Sequence, residues 1–315
     1  MAMIAMSSLG YRLGLSLLLV FFSSMPTRAE SGSAEPRIHQ VQAGPFRIAY
    51  RVIGPIHAAP VILLHGGGPG ADSWTSFSRS APTLSQKYRV YVIDFPGWGQ
   101  SSKNSQASTF LSPFRNGGRA VIAFMDALGN RKAHLVGNSF GGTAALYAAL
   151  PQPERFERLA LLSPGGADTL ATQGPSQGVE LMLSYYQDEG PTLKKMQAFL
   201  GDLVFEPSKT TPAFARERLR TSQDPAVLRN PPLNLPRGRA PREVLVSNDS
   251  KLVILPHPVL LIWGQEDRIN PVAGATSFAA IPGLSTVYLA RTGHWPQWES
   301  AASVNQLILR HLGPD

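Results

Sequence analysis

No cysteine occurs in the 315 residues. Disulfides, thiolate metal sites and a lipid anchor on cysteine are therefore excluded. An oxidising compartment is compatible with this, since a stray thiol is a liability there. Charge is also sparse, at 16% of residues against 43% apolar, which suits a chain that fills a core rather than a disordered one. The net charge is +8, but the Lys and Arg residues are scattered. No block of like charge sits beside stacking aromatics, so a nucleic-acid partner is not expected. The basic balance instead favours anionic substrates or surfaces. There is no internal repeat and no low-complexity tract. No apolar run is long enough for a comfortable membrane span.

The apolar run nearest the N-terminus is Leu13 to Phe22, preceded by Arg12 and followed by Ser23, Ser24, Pro26 and Thr27-Arg28-Ala29. A positive start, a short apolar stretch and a small-residue site read as an export signal over residues 1–29. The expected location is therefore periplasmic or secreted. Membrane contact would come only through an uncleaved signal.

The rest of the chain is organised around Ala133-His134-Leu135-Val136-Gly137-Asn138-Ser139-Phe140-Gly141-Gly142. An apolar strand enters Gly-x-Ser-x-Gly and leaves on an Ala-rich helix. Such a turn strains the serine and lifts its hydroxyl above the sheet. Gly137 and Gly141 fall where strand and helix nearly touch, so side chains there would clash. The helix N-terminus brings its positive dipole end beside Ser139.

Around this centre a strand–helix alternation predicts a mainly parallel sheet covered on both faces. Arg37 to Val52 reads as a hairpin broken at Gly44-Pro45, and Pro60 to Leu64 as a buried strand entering His65-Gly66-Gly67-Gly68-Pro69-Gly70. Tyr88–Ile93, Leu159–Ser163, Pro258–Trp263 and Ser285–Leu289 read as strands. Helices are expected from Asp72, over Phe110–Leu128, near Val272–Ala280 and from Ala302 to Leu312. From Pro164 to about Leu255 no strand is legible. Gly178–Gln187, Thr192–Leu203 and Pro212–Thr221 read as helices, and Asn230 to Pro241 as an irregular Pro-rich connection. The expected organisation is a core over residues 30–163 and 256–315, interrupted by a helical lid over 164–255.

A serine hydroxyl needs a base, and the base needs an acid to orient it. Of seven histidines, His294 lies in a loop after the last strand. His65 sits in the Gly-rich turn, where it holds the loop. His39, His57, His134, His257 and His311 fall in linkers, strand starts or the final helix. Gly264-Gln265-Glu266-Asp267 follows a strand directly, with Asp267 the expected acid and Glu266 the alternative. Asp94 also follows a strand, but it precedes Ser139 and opens a Pro-Gly turn, where turn capping accounts for it. For the oxyanion, Phe140 offers the amide after the nucleophile. The Gly-rich turn offers a second at Gly67, or alternatively Gly68. A phosphate-binding loop is excluded because no Lys-Ser/Thr follows the glycines. No metal or cofactor is expected.

The order Ser139, Asp267, His294 is that of the α/β-hydrolases. More narrowly, the chain resembles the meta-cleavage-product hydrolases. The resemblance rests on His65-Gly66-Gly67-Gly68-Pro69-Gly70-Ala71, Met125-Asp126-Ala127-Leu128, the Ser139 stretch, Ser163-Pro164-Gly165-Gly166 and Gly293-His294-Trp295-Pro296-Gln297-Trp298-Glu299. It implies serine chemistry on a carbon–carbon bond of 2-hydroxy-6-oxo-hexa-2,4-dienoates, small molecules that carry a carboxylate. It implies that Gly68, Asn138, Trp295 and a lid arginine surround the substrate. Arg218 is the best match, in a register that could slip to Arg216 or Arg220. The chain departs from the family in its export signal, since the family is usually cytosolic, and in the Pro-rich lid stretch. Rival expectations are an exported carboxylesterase for small esters and a non-catalytic binding protein on the same fold.

Overall fold

A computed structural model describes residues 35–103, 111–167, 173–233 and 254–313. The expected export segment lies outside them, as does most of the Pro-rich stretch, residues 234–253. Eight strands form one sheet: β1 (His39–Ala43), β2 (Phe46–Ile53), β3 (Pro60–Leu64), β4 (Arg89–Ile93), β5 (Ala133–Asn138), β6 (Phe156–Leu162), β7 (Val259–Gly264) and β8 (Leu284–Leu289). Their order across the sheet is β1-β2-β4-β3-β5-β6-β7-β8. The β1–β2 and β2–β4 pairs are antiparallel; the other pairs are parallel. A sheet buried on both faces needs continuous apolar strands. β5 and β7 accordingly lack exposed residues, and separate apolar clusters cover the two faces.

The core helices are α1 (Ser73–Phe77), α2 (Ala81–Leu84), α3 (Leu111–Ala127) and α4 (Phe140–Ala149). Asp72 caps α1 by accepting from Thr75 N at 2.8 Å. Between β6 and β7 come α5 (Gln177–Ser184), α6 (Leu193–Leu203), α7 (Pro212–Ser222) and α8 (Pro225–Arg229), and among the described residues of that stretch there is no strand. Ser176, Thr192, Thr211 and Asp224 cap these four helices. Their apolar faces build a third cluster with Ile269 and Trp295, which puts them over the ends of β7 and β8. Two short helices, α9 (Pro296–Glu299) and α10 (Ala301–Leu312), end the chain.

The expected helix near Val272–Ala280 is present as a 3₁₀ helix, Val272–Phe278. Val272, Ala275 and Phe278 recur every three residues and pack on the core, which suits the 3₁₀ repeat. α2, α8 and α9 have no sequence expectation behind them. Each is one turn long and starts with proline at N1 or N2, too short for a periodicity to show.

Candidate active site

Ser139 stands between β5 and α4 with φ 52° and ψ −116°, a backbone conformation that side chains rarely adopt. The surrounding backbone enforces it. A Cβ on Gly137 would lie 2.4 Å from Gly141 O, and one on Gly141 would lie 2.1 Å from Leu64 O. Strand and helix therefore close on each other only through glycine, as the motif implies. Ser139 N donates to Leu162 O at 2.9 Å, tying the turn to the neighbouring strand.

Asp267 and His294 follow the C-terminal ends of β7 and β8, the edge of a parallel sheet where sites form. His294 Nδ1 lies 2.8 Å from Asp267 Oδ2, and both residues are buried. A carboxylate only accepts, so Nδ1 carries the proton and Nε2 keeps its lone pair. Asp267 Oδ1 in turn accepts from Ile269 N at 2.9 Å and Asn270 N at 2.8 Å, which fixes the carboxylate plane. Glu266, the alternative acid, accepts from Thr292 N at 2.9 Å and braces the loop.

The other candidate acid and base have structural partners. His65 Nε2 accepts from Phe95 N at 3.0 Å, so Nδ1 carries the hydrogen and donates to Gly66 O at 2.7 Å. Burial lowers its pKa, which keeps it neutral. Asp94 accepts from Ser73 N at 2.9 Å and from Gln100 N at 2.8 Å, bracing a helix start and a turn.

The two glycines proposed for the oxyanion separate in space. A Cβ on Gly67 would lie 3.1 Å from Phe140 Cβ, so these amide-bearing residues are neighbours. Phe140 opens α4, and its N–H has no partner within the helix. A Cβ on Gly68 would instead lie 2.9 Å from Arg218 Nη2 and 2.6 Å from Phe199 Cζ. Asn138 spends both amide hydrogens on backbone, donating to Leu162 O at 3.0 Å and His294 O at 3.1 Å.

Ser139, His294, Gly66, Gly67, Gly68, Asn138, Trp295 and Arg218 line one narrow cavity, closed by Ala71, Met182, Phe199, Leu203 and Ile269. Among the described residues Arg218 is the only Lys or Arg in that lining, and it is 6% exposed, whereas Arg216 and Arg220 face solvent. Its Nε donates to Pro69 O at 2.8 Å, and its guanidinium lies 5.6 Å from the Phe199 ring centroid and 5.3 Å from that of Trp295. No carboxylate pairs with it within 4.0 Å among the described residues; Asp72 acts on it only from farther off. Burial pulls its pKa down to about 10, so it remains a cation at neutral pH. The register of α7 could not be read from sequence, because Arg216, Arg218 and Arg220 are chemically alike and only packing distinguishes them. Among the described residues no cluster of His, Asp or Glu is arranged to hold a metal ion.

Residues 59–301 match the family model described as alpha/beta hydrolase fold. The chain is 32% identical over 262 residues to the 2-hydroxy-6-oxononadienedioate/2-hydroxy-6-oxononatrienedioate hydrolase of Cupriavidus pinatubonensis, covering 81% of this chain and 87% of that one. It is 34% identical to the 2-hydroxy-6-oxo-6-phenylhexa-2,4-dienoate hydrolase of Burkholderia cepacia, covering 92% and 96%. Among solved structures, the 2-hydroxy-6-oxo-6-phenylhexa-2,4-dienoate hydrolase of a Rhodococcus species superposes with a TM-score of 0.82 at 27% identity, covering 90% of this chain and all of that one.

Proposed function

The chain belongs to the α/β-hydrolase family, and from that premise we propose that it hydrolyses the carbon–carbon bond of a 2-hydroxy-6-oxo-hexa-2,4-dienoate. The observation that carries this reading is Arg218. A guanidinium removed from water without a carboxylate partner is costly. A substrate carboxylate supplies the missing charge, and the planar fork can meet both oxygens. A neutral ester supplies none. Relatives that share a third of the sequence carry names of dienoate hydrolases, which supports the same substrate class.

In this reading Ser139, Asp267 and His294 form the catalytic triad. His294 Nε2, free to accept, takes a proton from Ser139 or from an attacking water. Asp267 orients the ring and steadies the imidazolium. The amides of Gly67 and Phe140 hold the oxyanion that forms on the C6 carbonyl. C5 first takes a proton, with His294 the nearest candidate to deliver it, while the 2-hydroxyl gives one up; hydroxyl then adds at C6, the C5–C6 bond breaks, and its electron pair moves to the C2 oxygen, which takes up a proton. Gly68 and Trp295 border the carboxylate end with Arg218. The helices α5 to α8 act as the lid of the expected 164–255 segment.

Residues 1–29 serve as an export signal, which places the enzyme outside the cytoplasm. N-terminal sequencing of protein made in its own host should start near Glu30; intact Met1 on soluble cytosolic protein would remove this assignment. Export also favours the ester reading, because an exported enzyme meets esters more readily than a catabolic intermediate made inside the cell. One assay separates the two. Purified protein is given a coloured dienoate and, in parallel, a p-nitrophenyl ester series. Dienoate turnover with the higher kcat/KM is expected; ester turnover without any dienoate turnover would overturn the C–C reading.

A further inference from the structure

Glu299 is a half-buried carboxylate that is not itself in the cavity lining and pairs with no cation among the described residues, yet each of its oxygens has a backbone donor. Its Oε1 accepts from Gly293 N at 2.9 Å and its Oε2 from Phe205 N at 2.6 Å. The two donors belong to different segments. Gly293 directly precedes His294. Phe205 lies in the chain that leaves the last turn of α6, the helix that supplies Phe199 and Leu203 to the cavity.

The surrounding backbone repeats the connection. His294 N donates to Leu203 O at 3.0 Å. A Cβ on Gly293 would lie 2.8 Å from Phe205 N and 2.9 Å from Val204 C, so the two segments are pressed together with no room for a side chain. Resting on the triad reading above, we propose that Glu299 is a positioning residue that fixes His294 and locks the end of α6 to the His294 loop as one unit. One buried-side carboxylate takes a hydrogen bond from each segment, and the exposed Arg291–Glu206 ion pair at 2.8 Å spans the same two segments from the solvent side. Burial raises the Glu299 pKa, and the neighbouring backbone amides oppose the rise.

The test compares wild type with Glu299→Gln, which keeps the volume but turns an N–H₂ toward amide donors, and Glu299→Asp, which is one methylene too short to reach both segments. Rates are normalised to the folded fraction by circular dichroism. Two reactions are followed: turnover of whichever substrate wild type accepts, and covalent labelling of Ser139 by a fluorophosphonate. Both variants should lose at least tenfold in kcat and in labelling rate, with KM within about threefold, because the base is misplaced while Arg218 keeps its bond to Pro69 O. Amide hydrogen exchange should speed up together at 203–206 and 293–295. Normalised rates within twofold of wild type, rescue by Asp, or faster exchange in only one segment would each overturn the proposal. Should neither variant fold, wild-type exchange decides: equal protection of Phe205 and Gly293 is expected, and protection differing tenfold between them would refute the single unit. Absence of labelling in active wild type would count against Ser139 as nucleophile, while exchange still tests Glu299.

Discussion

Ser139 and Arg218 reach the same cavity, but different physics fixes each. Ser139 is set by backbone against backbone: glycines 137 and 141 leave no room for any other turn, and Leu162 O holds the peptide from the adjacent strand. Arg218 is set by side chains. It lies among Phe199, Trp295 and the Pro69 carbonyl, and two neighbouring arginines on the same helix point to solvent. A site held by the sheet is rigid by construction, whereas a site held by helices over it depends on apolar packing. On the proposed function, specificity would rest on the more adaptable half and chemistry on the less adaptable one.

Substitutions on the sheet side should have the largest effects. Ser139→Ala and His294→Ala should each lower kcat by roughly 10³-fold or more without changing the folded state. The double variant should lose little beyond the worse single one, since the residues act as a unit. Asp267→Asn should follow them, because it removes the acceptor 2.8 Å from His294 Nδ1. Glu266→Gln should fall far short of that loss. The reverse ranking in steady-state kinetics would move the acid to Glu266.

On the lid side the effect should be smaller and selective. Arg218→Gln should cost about 2–4 kcal/mol in kcat/KM for a dienoate, the scale of losing one partner of a buried charge pair. Hydrolysis of a small neutral ester by the same preparation should barely change, because the triad is untouched. Equal small effects on both substrates would remove Arg218 as the carboxylate ligand and weaken the contrast between the two halves.

The same contrast decides what could be read from sequence. The elbow was legible because its steric requirement is local: glycine two residues either side of a serine, between an apolar strand and an Ala-rich helix. Asp267 and His294 were legible because a parallel sheet delivers loops to one edge, so strand ends alone locate them. Of the two carboxylates weighed there, Asp267 lies 2.8 Å from His294 Nδ1 and Glu266 accepts from Thr292 N, a difference that no sequence pattern carries. The arginine register was not legible, since α7 is basic on several faces and burial of Arg218 depends on helices far away in sequence. Nor was Glu299, whose donor Phe205 lies 94 residues earlier. Side-chain-to-backbone bonds of that span leave no periodicity and no motif spacing.

Arg79 offers the finest test of the comparison. Its guanidinium lies 3.9 Å from the Trp298 ring centroid and donates to Trp298 O at 2.8 Å. Trp298 stacks on Trp295 at 5.0 Å, and Arg218 lies over Trp295. Two arginines thus bracket one indole pair, Arg79 from the α1–α2 connection of the core and Arg218 from the lid. Arg79 is only part-buried and is not in the cavity lining, so it has no anion to meet. Arg79→Met keeps much of the stem while removing the charge and the donor. It should lower stability by about 1 kcal/mol, the scale of a half-exposed cation–π contact together with one charged hydrogen bond partly replaced by water. In denaturant unfolding the midpoint should fall with the slope unchanged. Dienoate kcat/KM should stay within about threefold of wild type, since a loss of roughly 0.6 kcal/mol or less is all that slackening of Trp295 can pass on. A dienoate loss as large as that of Arg218→Gln would mean that the core, and not the lid alone, sets the substrate carboxylate site.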